Sequence, residues 1–256
     1  MTVAGRRAIW AAALSAPGIG AAAAQGGGAP GGALTPEQRR EVLDVVREAL
    51  RTDPSLLREA LQGLQAAEDA ELARRRAEAI AANAEALFRD PADPVRGNPR
   101  GDVTLVEFFD VRCGYCKTLH PVILEAAARD RGLRVVMKDF PILGPLSTLA
   151  ARALLAAHRQ GRHAELHDAL MRLRGEPTEA ALAAEMARAG VDWGRARVDM
   201  DRPEVAARIE RNLALARALM VEGTPALVLG ERLIPGAVDL AALERAVAEA
   251  RARGRG

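Results

Sequence analysis

The chain has 256 residues, a length that suits one large domain or a smaller domain with an extension. Hydrophobic residues make up 49% and charged residues 27%, which is a globular rather than a disordered or fibrous composition. The formal net charge is +2, from 36 basic and 34 acidic residues. It becomes zero without Arg6 and Arg7, which lie in a segment that we interpret below as a removable leader. This balance argues against nucleic-acid binding, which needs a basic face. The two cysteines exclude a disulfide-stapled scaffold and a four-cysteine zinc site.

The N-terminus has the pattern of an export signal. Arg6 and Arg7 precede an apolar, Ala-rich stretch that ends in a run of small residues at Ala24. We therefore expect residues 1–24 to be a cleaved signal peptide that directs the chain to the periplasm, with a retained membrane anchor as the alternative. The sequence does not distinguish the general export route from the twin-arginine route. Residues 25–34 are predicted to be a flexible Gly-rich linker.

Residues 35–90 are predicted to be helical. Thr35 has the features of an N-cap, with Pro36 as the first helical residue and Gln38 as the reciprocal capping partner. The apolar residues that follow at helical spacing form one stripe: Val42, Val45, Val46, Ala49 and Leu50. Asp53-Pro54 repeats the capping signal before a second helix, which is predicted to run to about Phe88.

A helix of this length has no core of its own, so its apolar face needs a partner. One interpretation is that it packs on the globular part of the same chain. The other is that it pairs with copies of itself, because its Ala-rich second half is a poor core face but suits close contact between helices. We expect homo-oligomerisation through residues 35–90. A boundary is then predicted from four helix-breaking residues, Pro91, Pro94, Gly97 and Pro99.

A second domain is predicted over residues 99–254. The pattern predicts a strand, a helix and a strand, then a helical block, a β-hairpin and a closing helix. The predicted bounds are a strand at 103–109, a helix at 114–131, a strand at 133–138, helices over about 145–220, strands at 226–229 and 232–234, and a last helix over 239–253.

Both cysteines fall in Cys113-Gly114-Tyr115-Cys116, where the first predicted strand ends and a helix begins. A helix N-terminus carries partial positive charge and unpaired N–H groups, so it stabilises a thiolate. The two-residue spacer lets the sulfurs meet across one helical turn. We predict that Cys113 is an exposed nucleophile and that Cys116 is a shielded resolving thiol. The Cys113–Cys116 disulfide is the expected redox group, and no separate cofactor or metal is expected.

Other interpretations of the cysteines stay open. They are half of a zinc site if His163 and His167, four apart on a predicted helix, complete it, but no strong spacing joins the two pairs. A purely structural disulfide closing so short a loop adds little stability. Two soft thiolates also suit the binding of Cu(I). The remaining interpretation is an inert structural protein in which the motif is vestigial.

The stretch LVEFFDVRCGYCK, residues 105–117, resembles the segment of the thioredoxin fold that leads from a strand into the active site. Pro121 falls where that family has a proline in its active-site helix, and Thr224-Pro225 resembles its cis-proline loop. The helical insertion and the segment KDFPILG at 138–144 are similar to the DsbA-like disulfide oxidoreductases. Residues 35–64 resemble the N-terminal helical domain of the suppressor-of-copper-sensitivity C type.

This resemblance implies an α/β thioredoxin fold with an inserted all-helical subdomain, preceded by an N-terminal helical extension. It implies that Glu107 is a buried acid whose pKa is raised by desolvation and which exchanges a proton with Cys116. Lys138 is expected near Glu107, where it would moderate that shift, and His120 on a solvated helix face. The implied supporting residues are Glu107, Gly114, Tyr115, Lys138, Thr224 and Pro225.

The Gly-Tyr spacer with a Thr before the proline is similar to the active site of the family's dimeric disulfide isomerase. It differs from the Pro-His spacer of the strongly oxidising branch. The resemblance therefore implies an exported thiol–disulfide oxidoreductase with isomerase or reductase bias. Its expected partners are exported proteins with cysteines and a membrane redox protein that recycles the pair. A monomeric dithiol oxidase and a Cu(I)-binding thiol protein are the alternatives.

Overall fold

The computed structural model describes residues 34–254. The predicted signal peptide and all but the last residue of the predicted linker lie outside this range. By its internal contacts the chain divides into two units, the first ending at Ala60 and the second beginning at Leu61.

The described N-terminal region begins with helix α1, Pro36–Thr52. The side-chain oxygen of Thr35 accepts a hydrogen bond from the backbone N–H of Gln38 at 3.2 Å, and the Gln38 side chain accepts one from the Thr35 N–H at 3.0 Å. The predicted capping box is therefore confirmed. None of the residues of α1 is buried. Helix α2, Pro54–Ala82, follows after Asp53.

The helix predicted to reach Phe88 ends earlier, at Ala82, and a π-helical turn covers Glu85–Arg89. Ile80 and Leu87 are almost fully buried in one hydrophobic cluster with residues of the sheet. The segment from α2 to the π-helical turn is largely exposed at its beginning and packed at its end, because its larger apolar residues lie at that end.

One mixed sheet of five strands forms the centre of the second unit. Its strands are β1 Val95–Gly97, β2 Val103–Phe109, β3 Leu133–Asp139, β4 Ala226–Leu229 and β5 Arg232–Pro235. Their order is β1-β3-β2-β4-β5, with β2 and β3 parallel and the other neighbours antiparallel. The sequence predicted four of these strands. It missed β1, because the surrounding Pro and Gly residues suggested only a boundary.

Seven helices accompany the sheet in the part of the chain after β1. They are α3 Gly114–Arg129, α4 Pro145–Arg159, α5 His163–Arg172, α6 Glu179–Arg188, α7 Trp193–Met200, α8 Pro203–Ala218 and α9 Leu240–Ala252. Helix α3 connects the parallel strands β2 and β3, and α4–α8 form an all-helical insertion between β3 and β4. The predicted α/β fold with a helical insertion is confirmed.

Strand β2 is buried on both faces, so its alternate side chains enter two different cores. Leu105 and Phe109 belong to the cluster that includes residues of α3, α5 and α9. Val106 and Phe108 belong to the cluster that includes Ile80 and residues of α8. Glu107, between them, therefore faces the same side of the sheet as α3, which is the side that carries the cysteines.

Candidate active site

Cys113 is the N-cap residue of α3, just after the loop that leaves β2. Its backbone N–H donates to the carbonyl oxygen of Asp110 at 3.0 Å, and its own carbonyl accepts from the N–H of Lys117 at 3.1 Å. Both cysteines are free thiols. Cys116, one turn into the helix, is fully buried, whereas Cys113 keeps 8% of its surface exposed.

The loop at Thr224-Pro225 covers Cys113. Its peptide bond is cis, and it leads directly into β4, which pairs antiparallel with β2 so that Ala226 lies opposite Phe108. This register brings the loop to the end of β2 from which the cysteines follow. The Cys113 thiol donates to the Thr224 carbonyl oxygen at 3.2 Å. Because of this contact Cys113 is nearly buried, and the prediction of an exposed Cys113 overstated its accessibility.

The two spacer residues face different surroundings. Gly114 is the first residue of α3, and a Cβ placed there meets no atom within 4 Å, so the position does not require glycine for space. Tyr115 is 71% exposed and presents its ring to solvent beside the cysteines. Pro121 lies inside α3, as the resemblance implied.

Glu107 is buried, as the resemblance implied. Burial raises the pKa of its carboxyl group to about 8, and the positive charge of Arg96 partly opposes this rise. Its Oε1 atom is buried and has no hydrogen-bond partner among residues 34–254. Arg96 lies on β1, the strand that the sequence did not predict. The cation that lowers the pKa of Glu107 was therefore not predicted either.

The Cys116 thiol is held in its protonated form. Burial raises its pKa, a hydrogen bond from the Asp110 backbone lowers it, and the nearby charge of Glu107 raises it again. Cys116 must lose this proton before it can act as a nucleophile. Glu107 is the carboxyl group whose charge acts on the Cys116 thiol.

Lys138 does not lie near Glu107, and that expectation is wrong. In the parallel pairing of β2 and β3, Glu107 lies opposite Met137, and Lys138 lies opposite Phe108. Side chains alternate along a strand, so Lys138 points to the other face of the sheet. There its Nζ lies 2.5 Å from Oδ2 of Asp93. Burial lowers the pKa of the Lys138 ammonium group, and the Asp93 carboxylate partly restores it.

A polar network, not anticipated from the sequence, holds the loop that precedes Cys113. The carboxylate of buried Asp110 accepts hydrogen bonds from the N–H of Arg112 at 2.9 Å and from the N–H of Leu143 at 3.0 Å. The Arg112 guanidinium binds both carboxylate oxygens of Glu176, at 2.6 and 3.0 Å, and also donates to the Leu143 carbonyl oxygen. The active-site loop is thus joined to the segment before the helical insertion and to the connection between α5 and α6 within it. The only feature of the sequence that indicates this network is the presence of polar residues directly after a buried strand.

The histidines lie in different surroundings from those expected. His120, expected on a solvated face, is buried, with its Nε2 3.0 Å from Oδ1 of Asp168. His163 and His167, expected in an ordinary charged stretch, are buried on α5. Burial lowers the pKa of all three imidazoles, that of His163 to about 3. These side chains therefore add no positive charge to the site near neutral pH.

Comparisons with known proteins agree with this geometry. The family described as "DSBA-like thioredoxin domain" matches residues 104–248, and the chain belongs to this family of thiol–disulfide oxidoreductases. A thioredoxin-like oxidoreductase from Silicibacter pomeroyi DSS-3 is 42% identical, with a TM-score of 0.64, over 66% of this chain and 97% of that one. A linker-deletion mutant of ScsC from Proteus mirabilis is 28% identical, with a TM-score of 0.66, over 87% of this chain and 99% of that one. The thioredoxin fold and the ScsC-like type are thus confirmed.

A longer curated protein also matches. The Na⁺/H⁺ antiporter NhaA 1 of Salinispora arenicola (strain CNS-205) is 32% identical over 184 residues, which are 69% of this chain and 28% of the antiporter. The chain thus spans less than a third of that relative, and the antiporter's transport activity is not assigned to this chain. Among the helices within residues 34–254, we find none with the length and apolarity needed to cross a bilayer.

Proposed function

We propose that the chain is an exported oxidoreductase that exchanges disulfides with cysteine-containing proteins through Cys113 and Cys116, with isomerase or reductase bias. The observation that carries this proposal is the position of the Cys113 sulfur. It lies at the N-terminus of α3, 3.2 Å from the Thr224 carbonyl oxygen, while Cys116 is buried one turn further on. Stepwise thiol–disulfide exchange needs a first sulfur that a substrate can reach and a shielded second sulfur, and Cys113, 8% exposed, is the more accessible of the two.

The proposed reaction begins when the Cys113 thiolate attacks one sulfur of a substrate disulfide. The substrate S–S bond breaks, one substrate sulfur leaves as a thiolate, and Cys113 is joined to the other in a mixed disulfide. Cys116 then passes its proton to Glu107, in the fraction of molecules in which this carboxyl group is ionised, and attacks the Cys113 sulfur. This releases the second substrate thiolate and leaves the pair oxidised and the substrate reduced. In isomerisation a substrate thiolate attacks the mixed disulfide instead and returns Cys113 as a thiolate.

The proposal includes self-association through the N-terminal helices and recycling by a membrane redox protein. The support for self-association is the stripe of exposed apolar side chains on α1, where Val42, Val45 and Val46 are between 46% and 69% exposed. A second copy of the same helix offers these side chains an identical apolar face. The support for export to the periplasm, and for exported proteins as substrates, is the N-terminal sequence pattern together with the family.

Reactivation of scrambled ribonuclease in a glutathione buffer tests the proposed isomerase or reductase bias. We expect the wild-type protein to accelerate recovery of ribonuclease activity and Cys113→Ser to give the uncatalysed rate. A standard potential nearer the about −180 mV of protein disulfide isomerase than the about −120 mV of DsbA is expected. A protein that oxidises reduced ribonuclease but does not reactivate the scrambled form would instead be a dithiol oxidase.

A further inference from the structure

All four histidines of this chain lie in one continuous series of ring contacts. His158 and His163 have ring centroids 5.9 Å apart, His163 and His167 are stacked at 5.6 Å, and His167 meets His120 edge-on at 4.9 Å. They come from three helices, α4, α5 and α3. The thiol chemistry proposed above uses none of them.

The cluster contains unpaired polar atoms in the core. His167 is fully buried, and neither of its ring nitrogens has a hydrogen-bond partner in the described part of the chain. Nε2 of the buried His163 is also without one. A buried polar group without a partner lowers stability, so such a group calls for a physical explanation, such as a bound ion.

Asp168 adds a carboxylate to the two innermost imidazoles. One ligand atom from each of His120, His167 and Asp168 lies within 4.8 Å of the others. Nε2 of His120 and Oδ1 of Asp168 are 3.0 Å apart. Zinc–ligand bonds of about 2.0–2.1 Å place tetrahedral ligands about 3.3 Å apart. Any gap wider than this must therefore close by at most about 1.5 Å, which is within the range of a side-chain adjustment.

We propose that His120, His167 and Asp168 form a binding site for a divalent transition-metal ion, with Zn²⁺ as the ion that two imidazoles and one carboxylate suit best. This donor set leaves a fourth position for water or another ligand. Asp168 also lines a surface cleft of about 570 Å³, bordered by Arg172 and Glu185, which gives an ion a route from solvent. None of its three ligands is Cys113 or Cys116, although His120 lies one turn of α3 beyond Cys116.

Arg96 sets a limit on the affinity of this site. Its guanidinium donates to the Ala164 carbonyl oxygen at 2.5 Å and to Oδ1 of Asp168. This contact holds the carboxylate in place, but the positive charge of Arg96 repels a cation. The buried Glu107, on which Arg96 also acts, supplies a compensating negative charge when it is ionised.

Titration of the full chain with Zn²⁺ tests the proposal, with Cys113 and Cys116 first oxidised to a disulfide so that no thiolate competes. We expect one equivalent of Zn²⁺ to bind by calorimetry and to raise the melting temperature. His167→Gln and Asp168→Asn should each weaken binding at least ten-fold. His158→Gln is the matched control, because His158 belongs to the cluster but offers no ligand atom, and it should bind as the wild type does.

Near-UV circular dichroism establishes that each variant is folded, and the partly exposed Asp168 provides a test if His167→Gln does not fold. Absence of Zn²⁺ binding by the oxidised wild-type protein would overturn the proposal, as would undiminished binding by folded Asp168→Asn. Binding that requires the reduced cysteines would assign the metal to the thiols and would equally overturn it. None of these outcomes depends on disulfide-exchange activity.

Discussion

Lys138 and Asp93 form an ion pair with a separation of 2.5 Å, and both side chains are 1% exposed. Arg208 donates to the other oxygen of Asp93 at 2.9 Å and also pairs with Asp90. One buried carboxylate therefore serves two cations, one from β3 and one from α8. The Lys138 ammonium group donates in addition to the Ala86 carbonyl oxygen at 2.7 Å. These contacts join the segment before β1 to the side of the sheet opposite the cysteines.

Asp93→Asn should lower the free energy of unfolding by about 3–5 kcal/mol, because it leaves Lys138 without its buried counter-charge. Lys138→Met should cost less, since Arg208 remains to pair with Asp93. Urea unfolding measures both. Glu125→Gln, which removes an exposed pair with Arg129, is the control and should cost no more than about 1 kcal/mol. Equal losses for Asp93→Asn and Glu125→Gln would contradict a stabilising role for the buried pair.

Stability should depend on pH through Glu107. Burial raises its pKa from 4.5 to about 8. Between these values the folded protein holds a proton that the unfolded chain has released, so the free energy of unfolding falls as the pH rises. Over the whole window the loss is on the order of 4 kcal/mol. Glu107→Gln cannot lose this proton, so its stability relative to the wild type should rise steadily from pH 4.5 to 8.

Urea unfolding of the wild type and of Glu107→Gln at several pH values isolates the contribution of Glu107 to the pH dependence of stability. The buried histidines, whose pKa values are lowered, act in the opposite direction below pH 6.5, but they are the same in both proteins and cancel. Glu125→Gln should follow the wild-type curve. A constant difference between wild type and Glu107→Gln across the window would show that Glu107 titrates at its ordinary pKa.

Glu107→Gln should also slow the second step of disulfide exchange. Burial raises the pKa of the Cys116 thiol, so Cys116 needs a proton acceptor before it attacks the mixed disulfide. Removing a positioned base lowers a rate by about 10² or more. Stopped-flow measurement with a disulfide-bonded peptide should show attack by Cys113 at the wild-type rate and slower resolution. If both steps keep their wild-type rates, Glu107 takes no part in the proton transfer.

Cys116→Ser should trap the mixed disulfide. Cys113 can still attack a substrate disulfide, but the buried serine hydroxyl cannot displace it. Non-reducing electrophoresis after incubation with a disulfide-bonded substrate should show a covalent adduct that dithiothreitol removes. Cys113→Ser is the control and should give no adduct. Adducts formed by Cys113→Ser but not by Cys116→Ser would reverse the assigned roles of the two sulfurs.

Features governed by neighbours in the chain were predictable from the sequence. The capping box at Thr35 and Gln38 is set within four residues, and the start of α3 at the cysteines follows from a β-prone run that changes to helical spacing. The family resemblance then placed the buried acid at Glu107 and the cis-proline loop at Thr224-Pro225. Both predictions agree with the burial and the peptide geometry observed.

Features governed by distant contacts were not predictable in the same way. Strand β1 has three residues, and it is a strand because it pairs with β3 rather than because of its own composition. Lys138 was placed on the wrong face because the register between β2 and β3 decides which residues are neighbours. His120 was expected in solvent, but the approach of α5 buries it, and nothing within α3 indicates that contact.

Self-association through α1 is testable with one charge on its apolar stripe. Val46 is 46% exposed and lies on the same face as Val42 and Leu50. Burying such a side chain against a second copy contributes about 1.5–3 kcal/mol, and an aspartate in its place adds the cost of desolvating a charge. We expect Val46→Asp to reduce the molar mass measured by light scattering to that of the monomer. Arg40→Ser, on the polar face, changes the net charge equally and should keep the wild-type mass. A monomeric wild-type protein, or a Val46→Asp protein of unchanged mass, would show that this face does not hold copies together.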